Sequence, residues 1–288
     1  MTVKGIERIC VVGTGNMGHQ IGLCAALAGY RVSCTDINPE ILSKAEEFAD
    51  TYLAERVAKG KLSHEAAQRA RANMTFTLDV EEAASGADFV IEAVFEKLDL
   101  KRQVFRELDR VCPPHAILTT NSSFIVSSRI ADVTGRPSKV CNMHFFNPAL
   151  VMRLVEVVRG PHVSDETARV VMEVARSMGK TPILLRKEIY GFLVNRILAA
   201  INREALYLHD TGIAGYEDID TAVVLGLGHP MGPFRLMDLT GIDLAYFISM
   251  ERYQETGDPE YRPSPVIVEK FVKGEWGRKT GKGFYSYQ

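Results

Sequence analysis

A glycine-rich turn is the first feature of this sequence that could support chemistry. It follows the apolar run Ile6–Val12, and its G-x-G-x-x-G pattern comprises Gly13, Thr14, Gly15, Asn16, Met17 and Gly18. Between a strand and a helix, the first glycine permits a tight turn, the second lets the backbone approach a pyrophosphate, and the third lets the helix pack on the strand. The N-terminus of that helix offers free N–H groups and a positive dipole end to phosphates. The pattern predicts a dinucleotide-binding turn.

An acidic residue follows at the distance that such a turn predicts. Asp36 comes directly after the next apolar run, Val32–Thr35. An acid about 20 residues beyond the glycines accepts hydrogen bonds from a ribose and repels the 2′-phosphate of NADP. No arginine follows in Ile37, Asn38 and Pro39 to bind that phosphate, so we expect NAD as the cofactor. The alternative is a structural glycine turn followed by a helix-capping aspartate.

A histidine and a glutamate, on successive apolar runs, could form an acid–base pair. His144 ends the first run, and the C-terminal ends of strands face the ligand crevice in open α/β sheets. Glu156 lies inside the second run, where an unpaired carboxylate is costly. A carboxylate that holds one ring nitrogen leaves the other to take a substrate proton. Alternatively, Glu156 pairs with Arg153 or Arg159 at a sheet edge, and the spacing alone does not decide between these interpretations.

Four more polar residues lie where they could contact a ligand. Ser122 follows an apolar run and could donate to a substrate carbonyl, although a serine after a strand is also a common helix N-cap. Asn195 lies early in a predicted helix near a domain junction, where an amide could contact a ligand or pack at an interface. Glu96 and Lys101 follow another apolar run, and Lys101 is a helix-face lysine unless it reaches the cofactor.

These residues must be positioned by an alternation of strands and helices in the first part of the chain. The predicted strands are Ile6–Val12, Val32–Thr35, Phe89–Ala93, Ile117–Thr119, Val140–His144, Leu154–Val158 and Pro182–Leu185. The predicted helices between them include Met17–Ala28, Leu100–Val111 and Asp165–Met178. This order is typical of an α/β fold, a Rossmann-type doubly wound sheet that is mostly parallel and carries helices on both faces.

Two regions depart from that alternation. The charged helices Pro39–Lys59 and His64–Ala72 are longer than a crossover requires, and we interpret them as a helical hairpin inserted after the second strand and projecting from the sheet. Beyond residue 187 the pattern predicts only helices, over Gly191–His209, Tyr216–Leu225, Pro233–Thr256 and Pro265–Phe271. The sequence thus predicts an NAD-binding domain over residues 1–187 and an all-α C-terminal domain over residues 188–288.

Composition excludes several classes of protein. The 288 residues carry 36 acidic and 34 basic side chains, a balance that argues against nonspecific binding to nucleic acid or to a membrane surface. No apolar run approaches the ~18 residues of a membrane span, and the N-terminus lacks the pattern of a signal peptide. The five cysteines, without a C-x-x-C, indicate neither a disulfide framework nor a metal site. A reducing, cytoplasmic compartment fits best.

Motifs along essentially the whole chain resemble the 3-hydroxyacyl-CoA dehydrogenase family, close to its short-chain 3-hydroxybutyryl-CoA type. They lie at residues 12–18, 92–96, 121–123, 144–149, 154–157, 191–196, 229–234 and 279–285. H-F-F-N-P, G-F-x-V-N-R and K-T-G-x-G-F-Y, in this order, are the most specific. Two departures stand out, since the usual Asn-Thr before the two serines is Thr120-Asn121 here, and Tyr190 replaces the usual proline before Gly191.

The resemblance implies roles for individual residues. It makes His144 the catalytic base and Glu156 its orienting carboxylate, while Ser122 and Asn195 position the 3-oxygen and the thioester end of the substrate. It also implies a dimer formed largely by the helical domains. The implied cofactor-binding residues are Gly13, Gly15, Asn16, Met17, Gly18, Asp36, Glu96, Lys101, Ser122 and Asn147.

The implied reaction is the reversible, NAD-dependent oxidation of a short-chain (S)-3-hydroxyacyl-CoA to the 3-oxoacyl-CoA, as in fatty acid metabolism. Because Arg56, Lys59 and Lys61 cluster on the predicted hairpin, we hypothesise that they bind CoA phosphates. Two alternatives remain. One is an NAD-dependent dehydrogenase of a free hydroxy acid or sugar acid, and the other is a non-catalytic NAD-binding protein of the lens-crystallin kind.

Overall fold

The chain forms two compact units. The structure, a computed structural model, describes residues 2–287. The first unit ends at Leu193 and the second begins at Val194. The domain boundary expected between residues 187 and 188 stays a prediction.

The first unit is built on one eight-stranded sheet, as the α/β pattern predicts. Its strands lie in the order β3-β2-β1-β4-β5-β6-β7-β8, and every neighbouring pair is parallel except β6 with β7. The strands are β1 (Arg8–Val12), β2 (Arg31–Thr35), β3 (Met74–Thr77), β4 (Phe89–Glu92), β5 (Ile117–Thr120), β6 (Val140–Phe145), β7 (Leu154–Val158) and β8 (Thr181–Leu185). The doubly wound sheet is confirmed.

Helices cover both faces of this sheet. Alternate residues of a strand point to opposite faces. Accordingly Ile9 and Val11 of β1 belong to one core cluster, and Cys10 and Val12 belong to the other. The helices of this unit are α1 (Gly18–Leu27), α2 (Pro39–Ala58), α3 (His64–Ala72), α4 (Val80–Ala84), α5 (Leu98–Val111), α6 (Ser128–Ala131) and α7 (Asp165–Ser177).

The predicted hairpin is formed by α2 and α3, and it leads into a strand that the sequence analysis omitted. The side chain of Asn38 caps α2 by accepting hydrogen bonds from the N–H groups of Glu40 and Ile41. Residues of α2 at a helical spacing, including Leu42, Ala49 and Leu53, are buried, and α2 packs on α1 and β3. The omitted strand β3 is a short edge strand in which Met74 alone is fully buried, so its hydrophobic signal is weak.

The second unit is helical, as expected. Its helices are α8 (Val194–Asp210), α9 (Tyr216–Leu227), α10 (Pro233–Thr240), α11 (Ile242–Thr256) and α12 (Pro265–Val272). The single helix predicted over Pro233–Thr256 is wrong. Gly241 interrupts it with a φ of +110°, a conformation that other residues rarely adopt.

The core of this unit is small and is stabilised by buried carboxylates. Phe234, Met237, Ile242 and Phe284 are among its buried apolar residues. Asp238 accepts hydrogen bonds from main-chain N–H groups of the C-terminal segment. Across residues 2–287, none of the helices combines the length and the apolar character that crossing a bilayer requires.

Candidate active site

The glycine turn joins β1 to α1 in a conformation that only glycine permits. Gly13 has a φ of +87°, and a Cβ atom there would lie 2.8 Å from the main chain of Ala93 on the neighbouring strand connection. A Cβ atom on Gly18 would lie 1.7 Å from the carbonyl oxygen of Gly13. Gly15, by contrast, faces open space. The turn therefore folds tightly against the sheet while its middle residue stays accessible to a ligand.

The start of α1 has the features of a phosphate site. Met17 precedes the helix and provides no side-chain cap, so the positive end of the α1 dipole is not neutralised by a capping group. Asn16, in the same turn, donates through Nδ2 to Oδ1 of Asn147, 3.5 Å away in the loop after β6. The expected residues of the turn and Asn147 are thus brought to one edge of the sheet.

Asp36 lies at this edge and is linked to the glycine turn. Its Oδ2 accepts a 2.8 Å hydrogen bond from the Thr14 N–H, and its Oδ1 accepts one of 3.0 Å from the Asn38 N–H. Because Asn38 itself caps α2, the alternative of a helix-capping aspartate is wrong. The half-buried carboxylate, the open Gly15 and the uncapped helix fit the ribose and pyrophosphate of a dinucleotide.

His144 and Glu156 form a pair across β6 and β7. They are direct partners in the antiparallel register, and Nδ1 of His144 lies 2.9 Å from Oε2 of Glu156. The side chains are 5% and 0% exposed, respectively. Arg159 instead pairs with Asp165, and β7 is an interior strand, so the alternative of an edge pair between Glu156 and Arg159 is wrong.

The second carboxylate oxygen and the imidazole ring are also held in place. Oε1 of Glu156 accepts a 3.0 Å hydrogen bond from the Leu193 N–H. Phe192, just before it, has a φ of +49°, an unusual conformation for a non-glycine residue. The Phe192 and Phe146 rings lie 5.5 and 4.7 Å from the imidazole, centroid to centroid. Contacts on several sides therefore fix the orientation of the ring.

Ser123, not the expected Ser122, reaches the other nitrogen of the imidazole. Oγ of Ser123 lies 3.1 Å from Nε2 of His144. Ser122 is buried, donates to Oε1 of Glu96 and accepts a 2.7 Å hydrogen bond from the Ile125 N–H. Adjacent serines point to different sides of the chain, and the sequence does not indicate which one faces the histidine. The sequence analysis therefore missed Ser123.

The loop that carries both serines is anchored by its flanking residues. Thr120 donates a 2.6 Å hydrogen bond to Glu92, and Oδ1 of Asn121 accepts one of 2.8 Å from the Phe145 N–H. Phe124 stacks on Tyr190, with ring centroids 5.0 Å apart. The two departures from the family pattern, Thr120-Asn121 and Tyr190, therefore both contribute contacts to this loop.

Glu96 and Lys101 lie at the same edge but differ in exposure. Glu96 is partly exposed and accepts a 3.0 Å hydrogen bond from the Phe124 N–H. The Lys101 side chain is 1% exposed, and its ammonium lies 2.7 Å from Oε1 of Glu92. The ammonium group of Lys101 is therefore buried and already paired with Glu92. Its expected contact with a cofactor stays a prediction.

The remaining expected residues are three basic residues of the hairpin and Asn195. Lys59 and Lys61 are exposed near the tip of the hairpin, where Lys59 pairs with Glu55 at 2.7 Å and Arg56 lies over the Tyr52 ring. Asn195 is in the first turn of α8, in the second unit. Its expected role in substrate binding stays a prediction.

Comparisons with known proteins show the family to which the chain belongs. Residues 8–189 match the NAD binding domain of 3-hydroxyacyl-CoA dehydrogenase, and residues 191–287 match its C-terminal domain. The chain is 42% identical over 284 residues to the probable 3-hydroxybutyryl-CoA dehydrogenase of Bacillus subtilis (strain 168), and the alignment covers 98% of each protein.

Solved structures are similar over nearly the whole length. The (S)-3-hydroxybutyryl-CoA dehydrogenase of Ralstonia eutropha has a TM-score of 0.91 and 35% identity, covering 98% of this chain and 99% of that one. A diketoreductase described as acting on dicarbonyl compounds has a TM-score of 0.88 and 34% identity, covering 99% and 100%. From both domain matches and these similarities, the protein belongs to the 3-hydroxyacyl-CoA dehydrogenase family of NAD-dependent oxidoreductases.

Proposed function

We propose that the protein catalyses the reversible oxidation of a short-chain (S)-3-hydroxyacyl-CoA, such as 3-hydroxybutyryl-CoA, to the 3-oxoacyl-CoA. The observation that carries this proposal is the buried His144–Glu156 pair, 2.9 Å apart at the edge of the sheet where the glycine turn lies. The names of the relatives from Bacillus subtilis and Ralstonia eutropha support the same substrate.

His144 acts as the general base in the oxidative direction. Its Nε2, opposite the nitrogen that Glu156 holds, accepts the proton of the 3-hydroxyl group. Glu156 stabilises the imidazolium that forms, because its carboxylate is buried and directed at Nδ1. The glycine turn and Asp36 would hold NAD⁺, which would supply the acceptor for the hydride from C3. In the reductive direction the imidazolium returns the proton to the 3-oxygen.

The polar groups around the imidazole are proposed to align the substrate. Ser123 supports this role best, since its hydroxyl lies 3.1 Å from Nε2 of His144 and could donate to the same 3-oxygen. Ser122, the residue expected from the sequence, would act indirectly through Glu96, to which its hydroxyl donates. Asn195 is proposed to bind the thioester end.

The glycine turn, Asp36 and Glu96 are proposed to bind NAD, with Asn147 holding Asn16 in position. Asp36 would make the protein select NADH over NADPH. Replacing it in an Asp36→Asn variant removes the repulsion toward the 2′-phosphate, so the ratio of kcat/KM values for NADH and NADPH should fall. An unchanged ratio would exclude Asp36 from cofactor selection.

Arg56, Lys59 and Lys61 are proposed to attract the phosphates of CoA. Reversing all three charges should raise the KM for acetoacetyl-CoA at low ionic strength and leave the KM for NADH unchanged. The effect should shrink as salt is added, because exposed charges are screened. An unchanged KM for the CoA substrate at low salt would exclude the hairpin from substrate binding.

The substrate class is tested by following NADH oxidation with acetoacetyl-CoA and with free acetoacetate. We expect turnover of the thioester and little of the free acid. The reverse result would favour the alternative of a free hydroxy acid dehydrogenase. The similarity to a diketoreductase, which is described as acting on dicarbonyl compounds, is the reason to include the free acid in the test. No oxidation with either substrate would favour a non-catalytic NAD-binding protein.

A homodimer, a cytoplasmic location and a role in fatty acid metabolism stay predictions. Exposed apolar side chains in the second unit, such as Leu225 of α9 and Phe247 of α11, support the homodimer, since large apolar side chains on a surface often mark an interface. Molecular mass in solution, measured by light scattering, tests it.

A further inference from the structure

A second buried ion pair, between Glu92 and Lys101, lies beside the proposed active site, and Glu92 has no role assigned so far. Glu92 is the last residue of β4, and its register partners are Val12, just before the glycine turn, and Thr120, just before the serine loop. The residue is 0% exposed. A carboxylate taken fully out of water must be paired and hydrogen-bonded.

Glu92 satisfies that requirement with groups from three segments. Its Oε1 accepts hydrogen bonds from the Lys101 ammonium and from the Val94 N–H, each 2.7 Å long. Its Oε2 accepts the 2.6 Å hydrogen bond from the Thr120 hydroxyl. Burial raises the pKa of Glu92, and the charge of Lys101 acts in the opposite direction. Both oxygens are thus used within the protein.

The contacts continue from Lys101 to the imidazole. The Lys101 ammonium lies 3.4 Å from Oε2 of Glu96, whose other oxygen accepts the N–H groups of Phe124 and Ile125 at 3.0 and 3.3 Å. Ser123 directly precedes Phe124 and lies 3.1 Å from Nε2 of His144. Polar contacts, completed by the peptide link between Ser123 and Phe124, therefore connect Glu92 with the proposed base.

We propose that Glu92 is a positioning residue: through Lys101 and Thr120 it holds the Glu96 carboxylate and the serine loop in the arrangement that cofactor binding and proton transfer require. This inference rests on the proposed function. It gives Lys101 the same indirect role, since its ammonium already has Glu92, the Val94 carbonyl and Glu96 as partners. Neither residue needs to touch the substrate.

A Glu92→Gln variant removes the charge and keeps the shape. The buried ammonium of Lys101 then has Glu96 as its remaining carboxylate partner, which should draw Glu96 away from the Phe124 N–H. We expect the Kd for NADH, measured by fluorescence, to rise about tenfold or more, and kcat with acetoacetyl-CoA to fall by a similar factor, because breaking a buried pair has large effects.

Two neighbouring threonines provide a matched test if that variant fails to fold. Thr120→Val removes the hydroxyl that donates to Glu92 and accepts from the Ser122 N–H of the serine loop, whereas Thr119→Val removes a hydroxyl that donates to the Val90 carbonyl, at 2.7 Å. Both residues are 0% exposed and are adjacent on β5, where successive side chains point to opposite faces. Only Thr120 belongs to these polar contacts around Glu92.

The Thr120→Val variant loses two hydrogen bonds, so NADH binding should weaken and kcat should fall by at least about threefold each, while Thr119→Val leaves both within twofold of the wild type. Melting temperatures of the two variants separate stability from positioning. Equal effects of the two substitutions, or none in Glu92→Gln, would overturn the proposal. NADH binding is measured without an acyl substrate, so the result is independent of whether the CoA thioester is the true substrate.

Discussion

Glu156 in the first unit and Asp238 in the second are buried carboxylates with different partners. Their exposures are 0% and 1%. Asp238 accepts hydrogen bonds of 2.8 to 2.9 Å from the Phe284 and Tyr285 N–H groups and from the Tyr287 hydroxyl, all in the C-terminal segment. Glu156 accepts one from a main-chain N–H and also holds a ring nitrogen of His144.

The partners of these two carboxylates indicate a stabilising role for Asp238 and a chemical role for Glu156. Every partner of Asp238 named above is a donor that keeps its proton, so the site can hold a segment in place and do nothing else. The imidazole beside Glu156 has a second nitrogen, Nε2, whose lone pair is not used by Glu156 and which can accept a proton from a substrate. A buried carboxylate therefore suggests a catalytic role only when its partner carries a further atom that can transfer a proton.

The strongest test of this comparison is His144→Gln. Glutamine cannot act as a general base, so kcat should fall about 10²- to 10⁴-fold, the usual contribution of such a group. The Kd for NADH should stay near that of the wild type, because the glycine turn and Asp36 are unchanged. Activity close to that of the wild type would remove His144 from the mechanism.

A smaller loss is expected for Glu156→Gln. The amide can still contact Nδ1 but does not stabilise the imidazolium by charge, so kcat should fall about tenfold to 10²-fold while the KM for NADH changes little. Steady-state kinetics with both substrates measures this. If kcat is retained and only the melting temperature falls, Glu156 resembles Asp238 after all.

Asp238→Asn should have the opposite profile. An amide cannot accept all the hydrogen bonds that the carboxylate accepts, and the unfolding free energy should fall by about 1–3 kcal/mol. At a temperature where the variant is folded, kcat should stay within twofold of the wild type. Denaturant unfolding and steady-state kinetics on the same preparation measure the unfolding free energy and kcat. A tenfold loss of kcat would contradict the assignment of Asp238 to stability alone.

The smallest effect is expected for Tyr287→Phe. It removes the 2.9 Å hydrogen bond to Asp238 and leaves both main-chain donors in place. Because Tyr287 is half-buried, we expect a loss of about 0.5–1 kcal/mol in the unfolding free energy and no change in kcat. A loss as large as that of Asp238→Asn would mean that the hydroxyl, rather than the main chain, anchors the segment.

Much of the fold could be predicted from the sequence, because its signals are local. The bounds of α3 and β7 agree with the prediction to the residue, since a capping serine precedes α3 and an apolar run forms β7. The strand β3 was missed because only one of its residues is fully buried. The break at Gly241 was missed because an isolated glycine within an apolar pattern is compatible with a continuous helix.

The candidate active site was harder to predict, because its contacts are not local. Lys101 was expected to contact the cofactor or to lie on a helix face, and its pairing with Glu92 depends on how α5 packs on the sheet. Ser122 and Ser123 have the same chemistry, and the course of one loop decides which hydroxyl meets His144.

The residue types alone determined the glycine turn and the acid after the second strand. They also showed that two ionisable residues, His144 and Glu156, lie on apolar runs where each needs a polar partner. Backbone sterics and the cost of burying charge act on each residue separately, so these features can be predicted from the sequence. Only the tertiary structure decided that His144 faces Glu156. That contact needs β6 and β7 to be antiparallel in one register, and a shift of one residue would turn either side chain to the opposite face.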